Sequence, residues 1–521
     1  MRLGIFLAVV SLGILHRASS VPHGVLPPSA YAVGLDTSLQ LSKAPADECK
    51  NVSSPGSQKC GTKTVTHEKT EIIIEKTVET EIINGGKAQE CKGCPDIGTT
   101  TNAPVTTPPT TPVPCTSTTP QTPTVRTTPS MSTTTAPPTS PTTPPPRKDP
   151  VTRKTLGKCN PVNCKLPNCM CESTTPPVDD MPQFVMLTFD DAVTKTNMEF
   201  YRELLDNPKR KNKASGCRIA ATFFASGDYL DYPSVNELHR MGNEIALHSI
   251  SVNRNPYDYW KSLDTEGWER EFVDQRLMVE KYANVPAQDI RGLRGPFLFT
   301  GGDVGFRMQH RHLDYDCTLI HKRNGPDDAP VFPYTLDYGF QKPCMVHQCP
   351  NDTYPGLWTV PLNYLFRKYE EEGADKYGHC SMADACQPEL KTSSDTFEYL
   401  RFNFENFHNT NRAPFPVFLQ EAWLQDEERK KGYLRFVDWL LQKEDVYLVT
   451  VSEVLDFMRY PEPRSSYAQR RCTKENLPEP TCPKQTPCHY PTTTLGGERY
   501  MRICGTTCPE NYPWVNNPDG N

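Results

Sequence analysis

A long threonine- and proline-rich stretch divides this sequence and decides which parts of it can fold. Residues 101–146 contain 18 Thr and 14 Pro, which is 32 of 46 positions, and Arg126 is their only charged residue. Such a stretch has almost no apolar surface to bury, so contacts cannot offset the entropy lost on ordering. We therefore expect residues 101–150 to be a disordered linker. The composition is typical of an O-glycosylated mucin-like stalk, and a bare spacer is the alternative.

The N-terminus predicts that the chain is secreted. Arg2 precedes an apolar segment, Leu3 to Leu15, and the small residues Ala18 and Ser20 follow. This is the pattern of a cleaved signal peptide, which we assign to residues 1–20. A signal anchor or a buried helix is the alternative, but the apolar run is too short to cross a bilayer. The predicted localisation is extracellular, in a matrix.

Charge and cysteine content exclude other classes of protein. The formal net charge is −6, so the basic footprint of a nucleic-acid-binding protein is absent. No apolar run reaches the roughly 18 residues of a membrane span, so we expect no transmembrane helix. The chain has 20 cysteines, and in a secreted protein such a number indicates disulfides.

The segments around the linker differ in composition. Residues 21–100 are polar, contain four cysteines and carry an N-glycosylation sequon at Asn51, and no function can be assigned to them. Residues 159–180 form a cysteine-rich cap that is either a zinc site or a pair of disulfides. An oxidising compartment and the lack of a nearby histidine favour disulfides. Residues 461–521 read as a disulfide-stapled tail.

Residues 181–460 have the pattern of a folded α/β domain. Apolar strand-like runs alternate with amphipathic helical segments, which predicts βα units and a parallel sheet, and about 280 residues suit a barrel-like βα domain. The predicted strands are 184–189, 217–225, 244–247, 417–419 and 446–450, and the predicted helices are 198–205, 235–241 and 451–458.

Polar residues that could carry chemistry follow these strands. Asp190 and Asp191 end the first strand, and His248 follows the strand that ends at Leu247. Functional residues of parallel βα sheets lie at such carboxyl ends. Two adjacent carboxylates could divide the roles of base and metal ligand, although turn chemistry gives the same pattern. Arg294 and Asp316 are further candidates for a catalytic role, and Asp316 lies in an apolar stretch of the sequence.

Taken together, these segments resemble the polysaccharide deacetylases, the NodB-homology type of carbohydrate esterase family four, and most closely the animal chitin deacetylases. The resemblance covers about residues 159–461. Its segments are TFDDAV (188–193), GCRIAATFF (216–224), ELHRMGNEIALHS (237–249), RGPF (294–297), FPYTLDYG (332–339), GHCSMADAC (378–386) and NRAPFPVFLQEAWL (411–424).

The resemblance implies a distorted (β/α)₇ barrel and a metal-dependent site. The family holds a divalent cation, usually zinc, with one Asp and two His. By match, Asp190 is the general base, and Asp191 and His248 are metal ligands. Arg294 orients the base, and the Phe297 backbone N–H stabilises the oxyanion. The implied partner is chitin or a related polymer of N-acetylglucosamine, within an extracellular matrix.

Two positions depart from the family pattern in ways that affect catalysis. Val252 stands where the second metal-binding histidine belongs, and Gln420 stands where the general-acid histidine belongs. Valine cannot coordinate a metal, and glutamine cannot titrate near neutral pH. Binding of zinc or another divalent cation is therefore in doubt. Asn253, His239 or His408 could in principle supply a replacement ligand.

Aromatic residues in the matching segments are candidate substrate contacts. Phe332 stands where the animal family usually has tryptophan in the groove, and Trp358 and Trp423 could stack on sugar rings or pack in the core.

Cysteine spacing and one further sequon complete the predictions for the barrel. Short separations predict that Cys344 bonds Cys349 and that Cys380 bonds Cys386, and we expect Cys217 to pair with the early tail at Cys472. Asn351 is a second N-glycosylation sequon.

Three functions fit this sequence. The first is a chitin-binding matrix protein with a catalytically impaired deacetylase site. The second is a working chitin N-deacetylase with an altered site, and the third is a purely structural glycoprotein.

Overall fold

A computed structural model describes residues 151–152, 157–470, 472 and 479–521. The predicted signal peptide, the region 21–100, the linker 101–150 and the sequon at Asn51 lie outside the described residues. No helix within the described ranges is long and apolar enough to cross a membrane.

Strands and helices alternate in the first part of the described chain, and a run of strands without helices follows between residues 315 and 380. The strands are β1 (Val151–Thr152), β2 (Gln183–Asp190), β3 (Thr222–Ala225), β4 (Glu244–Leu247), β5 (Gly292–Leu293), β6 (Tyr315–Asp316), β7 (Ile320–His321), β8 (Tyr334–Leu336), β9 (Asp352–Thr359), β10 (Leu362–Asn363), β11 (Leu365–Glu371), β12 (Ala374–Cys380), β13 (Phe415–Gln420), β14 (Val446–Leu448), β15 (Gln485–Tyr490) and β16 (Arg499–Cys504). The α-helices are α1 (Met198–Leu205), α2 (Tyr232–Arg240), α3 (Thr265–Ala283), α4 (Gly302–His312), α5 (Ser393–Thr410), α6 (Glu427–Leu440), α7 (Val451–Arg459) and α8 (Arg464–Tyr467).

Seven parallel strands form a curled sheet. Its order is β13, β2, β3, β4, β5, β6 and β9, and each strand pairs in parallel with the next. Within the described ranges, no ladder between β9 and β13 closes the ring. β14 pairs with the start of β2, while β1 and β8 pair antiparallel with β9. The predicted α/β fold, a distorted seven-stranded barrel, is confirmed.

Local sequence explains why the elements lie where they do. All eight residues of β2 are buried, as expected for a central strand flanked by β13, β14 and β3. The Asp264 side chain accepts a hydrogen bond from the Gly267 N–H at 2.7 Å and caps α3, and Thr450 caps α7 in the same way. Parallel pairing brings the carboxyl ends of β2, β4 and β5 to one edge of the sheet, where the candidate site lies.

One predicted strand is shorter than expected. Residues 217–225 predict a strand, but β3 begins only at Thr222. Cys217 is tied to Cys472 by a disulfide, and the Ala220 N–H bonds the Leu448 carbonyl rather than a ladder partner in β2 or β4. The apolar residues of this segment before Thr222 pack between secondary-structure elements instead of pairing in a strand ladder.

Seven disulfides staple the described chain. The three expected in the barrel, Cys344–Cys349, Cys380–Cys386 and Cys217–Cys472, are all present. The cap sulfurs are paired with each other, so the cap has no free thiolate for zinc. The remaining bridges are Cys159–Cys171, Cys164–Cys169, Cys482–Cys504 and Cys488–Cys508.

Residues 479–521, here called the C-terminal module, form a small stapled unit on the barrel. β15 and β16 pair antiparallel, and two disulfides join the hairpin to its flanks. The Arg502 guanidinium holds Asp231 at the start of α2, with Nε–Oδ1 at 2.7 Å. Lys281 of α3 holds Asp519 at 2.6 Å. The module is therefore fixed to the outer helices as well as stapled internally.

Candidate active site

Two adjacent carboxylates lie where β2 ends. Asp190 is the last residue of the strand and is 6% exposed, whereas Asp191 begins the loop with φ of 78°. That left-handed conformation is rare for a residue other than glycine. The turn gives the two side chains different partners, Arg294 for Asp190 and His248 for Asp191. Burial raises the pKa of Asp191, the His248 charge opposes this, and the Asp190 charge adds to it.

Arg294 follows β5 and is completely buried. Its Nη1 donates to the Asp190 carboxylate and, at 3.0 Å, to the Thr188 hydroxyl. Its Nε donates to the Cys317 carbonyl at 3.1 Å. The rings of Phe224 and Phe418 lie 4.1 and 4.4 Å from the guanidinium carbon. Because every side of the guanidinium is occupied, Arg294 can hold Asp190 in one orientation.

The loop after Arg294 is tightly constrained. A Cβ at Gly295 would collide with the carbonyl oxygen of Phe299, so the turn requires glycine. Phe297 takes φ of 54° in this turn and is partly exposed. The predicted oxyanion donor thus lies three residues from Arg294, on a turn of fixed shape.

His248 has the orientation of a metal ligand. Its Nδ1 lies 2.8 Å from the Arg294 carbonyl oxygen, and since a carbonyl only accepts, Nδ1 carries the proton. In the neutral imidazole Nε2 is then a lone-pair donor, and it lies 4.0 Å from an Asp191 carboxylate oxygen. Zinc bound at about 2.0–2.2 Å to each would hold these atoms about 3.4 Å apart. A small adjustment would therefore let the two residues share a cation.

The predicted third ligand position, residue 252, holds a buried hydrocarbon side chain. Val252 is 6% exposed and offers no donor atom. The loop before it is fixed by the buried Glu271 of α3, which accepts from the backbone N–H groups of Ile250 and Ser251 at 3.1 and 2.9 Å. The Ser251 hydroxyl and the Tyr259 hydroxyl also donate to Glu271. The loop in which the resemblance places a third ligand is therefore held in place, but residue 252 offers no ligand atom.

Among the described His, Cys, Asp and Glu residues, none forms a group of three ligand atoms with Asp191 and His248. His239 bonds Asp289 at 3.0 Å on the outer helix, and His408 bonds Asp445 at 2.8 Å near the end of α5. Asn253 is exposed in the loop after Val252. Within the described ranges, the only group of three potential ligand atoms is formed by cap cysteines, and these are in disulfides. The residues present fit a two-ligand cation site, which is a weak one for zinc.

Gln420 lies at the edge of the site, next to the acidic pair. It is the last residue of β13 and lies in register with Asp190 on β2. A hydrogen bond from its side chain to Asp191 lowers the pKa of that carboxyl, although burial dominates. An amide can hold and orient a carboxylate, but it cannot release a proton to a leaving group.

Asp384 is a site residue that sequence reasoning missed. It lies in the loop closed by the Cys380–Cys386 disulfide, and its carboxylate accepts from the Gln420 backbone N–H at 2.8 Å. Burial raises the pKa of Asp384 to about 7, and the charges of Asp190 and Asp191 contribute. A lone acidic residue in a short disulfide loop was the available signal.

Asp316, which we predicted as a catalytic residue, has structural hydrogen-bond partners, and its catalytic role stays a prediction. It is completely buried in β6, and one carboxylate oxygen accepts from the backbone N–H groups of Thr318 and Leu319 at 3.0 and 3.3 Å. Asp316 thus supports the turn beside Cys317, whose carbonyl holds Arg294.

Two of the predicted sugar contacts are core residues. Phe332 is completely buried, and its N–H bonds the Ser173 carbonyl under the cap. Trp358 is 1% exposed and faces Arg459 of α7 at 5.4 Å, so it points to the helical layer. Neither ring is exposed to solvent in the described structure, and their role as substrate contacts stays a prediction. Trp423 is partly exposed in the turn after Gln420, and it stays a predicted substrate contact.

Comparisons with known proteins give two related sequences. The chain is 36% identical over 373 residues to chitin deacetylase 8 of Bombyx mori, covering 70% of this chain and 93% of that protein. It is 32% identical over 378 residues to chitin deacetylase 1 of Bombyx mori, covering 70% and 68%. No family model matches.

Solved structures give weaker similarities. The peptidoglycan deacetylase PdaC of Bacillus subtilis has a TM-score of 0.31 and 14% identity, over 56% of this chain and all of that one. The Xyl-CE4 domain of a xylanase from a Trinervitermes trinervoides hindgut metagenome has a TM-score of 0.29 and 13% identity, over 54% of this chain and 94% of that one.

Proposed function

The chain belongs to the chitin deacetylase family, and we propose that it is a secreted, chitin-binding matrix protein whose deacetylase site is impaired. One observation carries this proposal. The site retains Asp190, Asp191, His248 and Arg294 in a connected arrangement, but Val252 occupies the third ligand position.

The retained groups would still do part of the chemistry. Asp190, held by Arg294, is placed to take a proton from water as general base. The Phe297 backbone N–H would stabilise the oxyanion. A divalent cation at Asp191 and His248 would polarise the amide carbonyl and acidify water. These residues orient the reactants but depend on an ion that two ligands hold poorly.

The missing acid affects the other end of the reaction. The leaving amine needs a proton, and Gln420 cannot supply one. Loss of general-acid catalysis alone costs on the order of 10²–10⁴ in rate. The two defects act on one reaction, so their effects need not add. Together, the missing metal ligand and the missing acid support the proposal that the protein binds chitin without hydrolysing it.

Secretion and chitin binding are parts of the same proposal. Seven disulfides among the described residues suit an oxidising compartment. Trp423, partly exposed beside Gln420, offers a ring face for a sugar, and such stacking needs no metal. Asn351 is exposed at the start of β9, as a glycosylated asparagine must be.

One observation favours a second candidate function, a weakly active chitin deacetylase. The raised pKa of Asp384, about 7, lets a protonated carboxyl persist beside Gln420 near neutral pH. A carboxyl in that state could protonate the leaving amine in place of the missing histidine. Acetate release that Asp384→Asn abolishes would support this candidate over the first.

The test of the main proposal measures zinc and chitin on the full secreted chain. Wild type, Val252→His and Val252→Ala are loaded with zinc, dialysed against a mild chelator and analysed for metal. We expect only Val252→His to retain zinc, because it rebuilds the third ligand. Retention on insoluble chitin beads, with cellulose as control, should persist in all three.

Two results would contradict the proposal. One zinc per wild-type chain that survives the chelator would show an intact metal site. Loss of chitin retention in wild type would remove the binding role and leave a structural glycoprotein.

A further inference from the structure

A cleft separates the C-terminal module from the barrel loops next to the candidate site. It has a volume of about 320 Å³ and is lined by Asp228, Asn253 and Arg254 of the barrel and by Arg499 and Trp514 of the module. We propose that this cleft is a second carbohydrate subsite, which binds an N-acetylated sugar unit of the chain that passes the active site. This inference rests on the proposed chitin binding.

The cleft opens at the same end of the sheet as the acidic pair. Asn253 and Arg254 lie five and six residues after His248, on the loop that Glu271 holds. Asp228 follows β3, and its N–H bonds the Ile250 carbonyl at 3.1 Å. A polymer lying across the strand ends can therefore contact the active site and the cleft together.

The walls of the cleft are fixed before any ligand binds. The Tyr512 hydroxyl donates to Asp228 at 3.3 Å, and Arg499 lies 3.7 Å from the same carboxylate. The Cys482–Cys504 and Cys488–Cys508 disulfides brace the hairpin that carries Arg499. A rigid wall loses little entropy on binding, which favours a binding site over an incidental gap.

The chemistry of the lining suits a sugar. The Trp514 ring supplies an apolar surface, and its indole N–H is buried without a hydrogen-bond partner. A pyranose has an apolar face and a rim of hydroxyl and acetamide oxygens, and so needs a ring beside donors and acceptors. Arg254 and Asp228 supply such groups.

Charge selects the acetylated form of that sugar. The lining contains two guanidinium groups, Arg254 and Arg499, and one carboxylate, Asp228, so it carries an excess positive charge. A deacetylated unit carries a basic amine, and the protonated form of that amine would be repelled. A neutral N-acetylated unit avoids that repulsion, and its acetamide oxygen can accept from the arginines.

The test compares oligomers of increasing length on the full secreted chain. Calorimetry measures the Kd of N-acetylglucosamine oligomers with two to six units for wild type, Trp514→Ala, Arg254→Gln and Tyr500→Ala. Tyr500 is the matched control, since it is 58% exposed on the same module and stacks on His489, away from the cleft. Arg254 is exposed, so its variant keeps the test valid if Trp514→Ala fails to fold.

We expect Trp514→Ala to weaken hexamer binding about tenfold and Arg254→Gln about threefold, with little effect on the dimer. Tyr500→Ala should bind like wild type, and a fully deacetylated hexamer should bind wild type more weakly. Unchanged hexamer binding in the Trp514 and Arg254 variants, or a preference for the deacetylated hexamer, would overturn the subsite alone. If wild type binds no oligomer, the proposed function itself fails.

Discussion

Replacing Arg294 by methionine should destabilise the barrel strongly, because the change leaves a buried carboxylate without its partner. The Asp190 side chain is 5% exposed and pairs with an Arg294 side chain that is completely buried. Breaking such a pair from one side typically costs about 3–5 kcal/mol, since the remaining charge is neither paired nor hydrated. The Cys317 carbonyl and the Thr188 hydroxyl also lose a donor.

Chemical denaturation of the oxidised full chain measures this cost in a double-mutant cycle. Adding Asp190→Asn to Arg294→Met should recover about 2 kcal/mol, because it removes the unpaired charge. Arg291→Met is the matched control. Arg291 pairs with the part-buried Asp314 and the exposed Asp456, so its loss should cost less than the loss of the completely buried Arg294. Equal losses for Arg291→Met and Arg294→Met, or additive losses in the cycle, would refute the argument that Arg294 and Asp190 act as one unit.

Three further predictions concern stability. Glu271→Gln should cost about 1–3 kcal/mol by urea unfolding, because its buried acceptors hold the loop before position 252, whereas Glu269→Gln on the same helix should cost little. In wild type the folded-state pKa of Asp384 is raised to about 7, so between about pH 4 and 7 the folded chain keeps a proton that the unfolded chain releases. The free energy of unfolding should therefore fall as pH rises through this range. Asp384→Asn removes the titrating group and should make this fall smaller. Equal pH slopes for wild type and Asp384→Asn would contradict this. Replacing both Cys217 and Cys472 by serine should cost about 2–5 kcal/mol in thermal unfolding, and an unchanged melting temperature would count against it.

Much of the fold could be predicted because its signals are local. The helix over 198–205 and the strand over 244–247 have the predicted bounds, since apolar periodicity and burial coincide there. The strand over 217–225 was too long, because an apolar run does not reveal whether it pairs in a ladder or packs beside one.

The site was only partly predictable for a related reason. Asp190, Asp191, His248 and Arg294 meet because parallel strand ends share one edge, which the alternating pattern implies. Which way an aromatic ring faces is not encoded in a motif, so the burial of Trp358 could not be predicted. Contacts made across the fold are also hidden in the sequence.

Asp384 is an example of a contact across the fold that the sequence does not reveal. It lies 36 positions before Gln420, and only the disulfide loop and the end of β13 bring the two together.

Acetate release from N-acetylglucosamine hexamer, with zinc supplied, tests the central claim most directly. Wild type should release none. Val252→His and Gln420→His alone should do little, because each leaves one defect in place, and the double variant should exceed the sum of both in rate. Acetate release by wild type that Asp190→Asn abolishes would contradict the account and establish a working deacetylase.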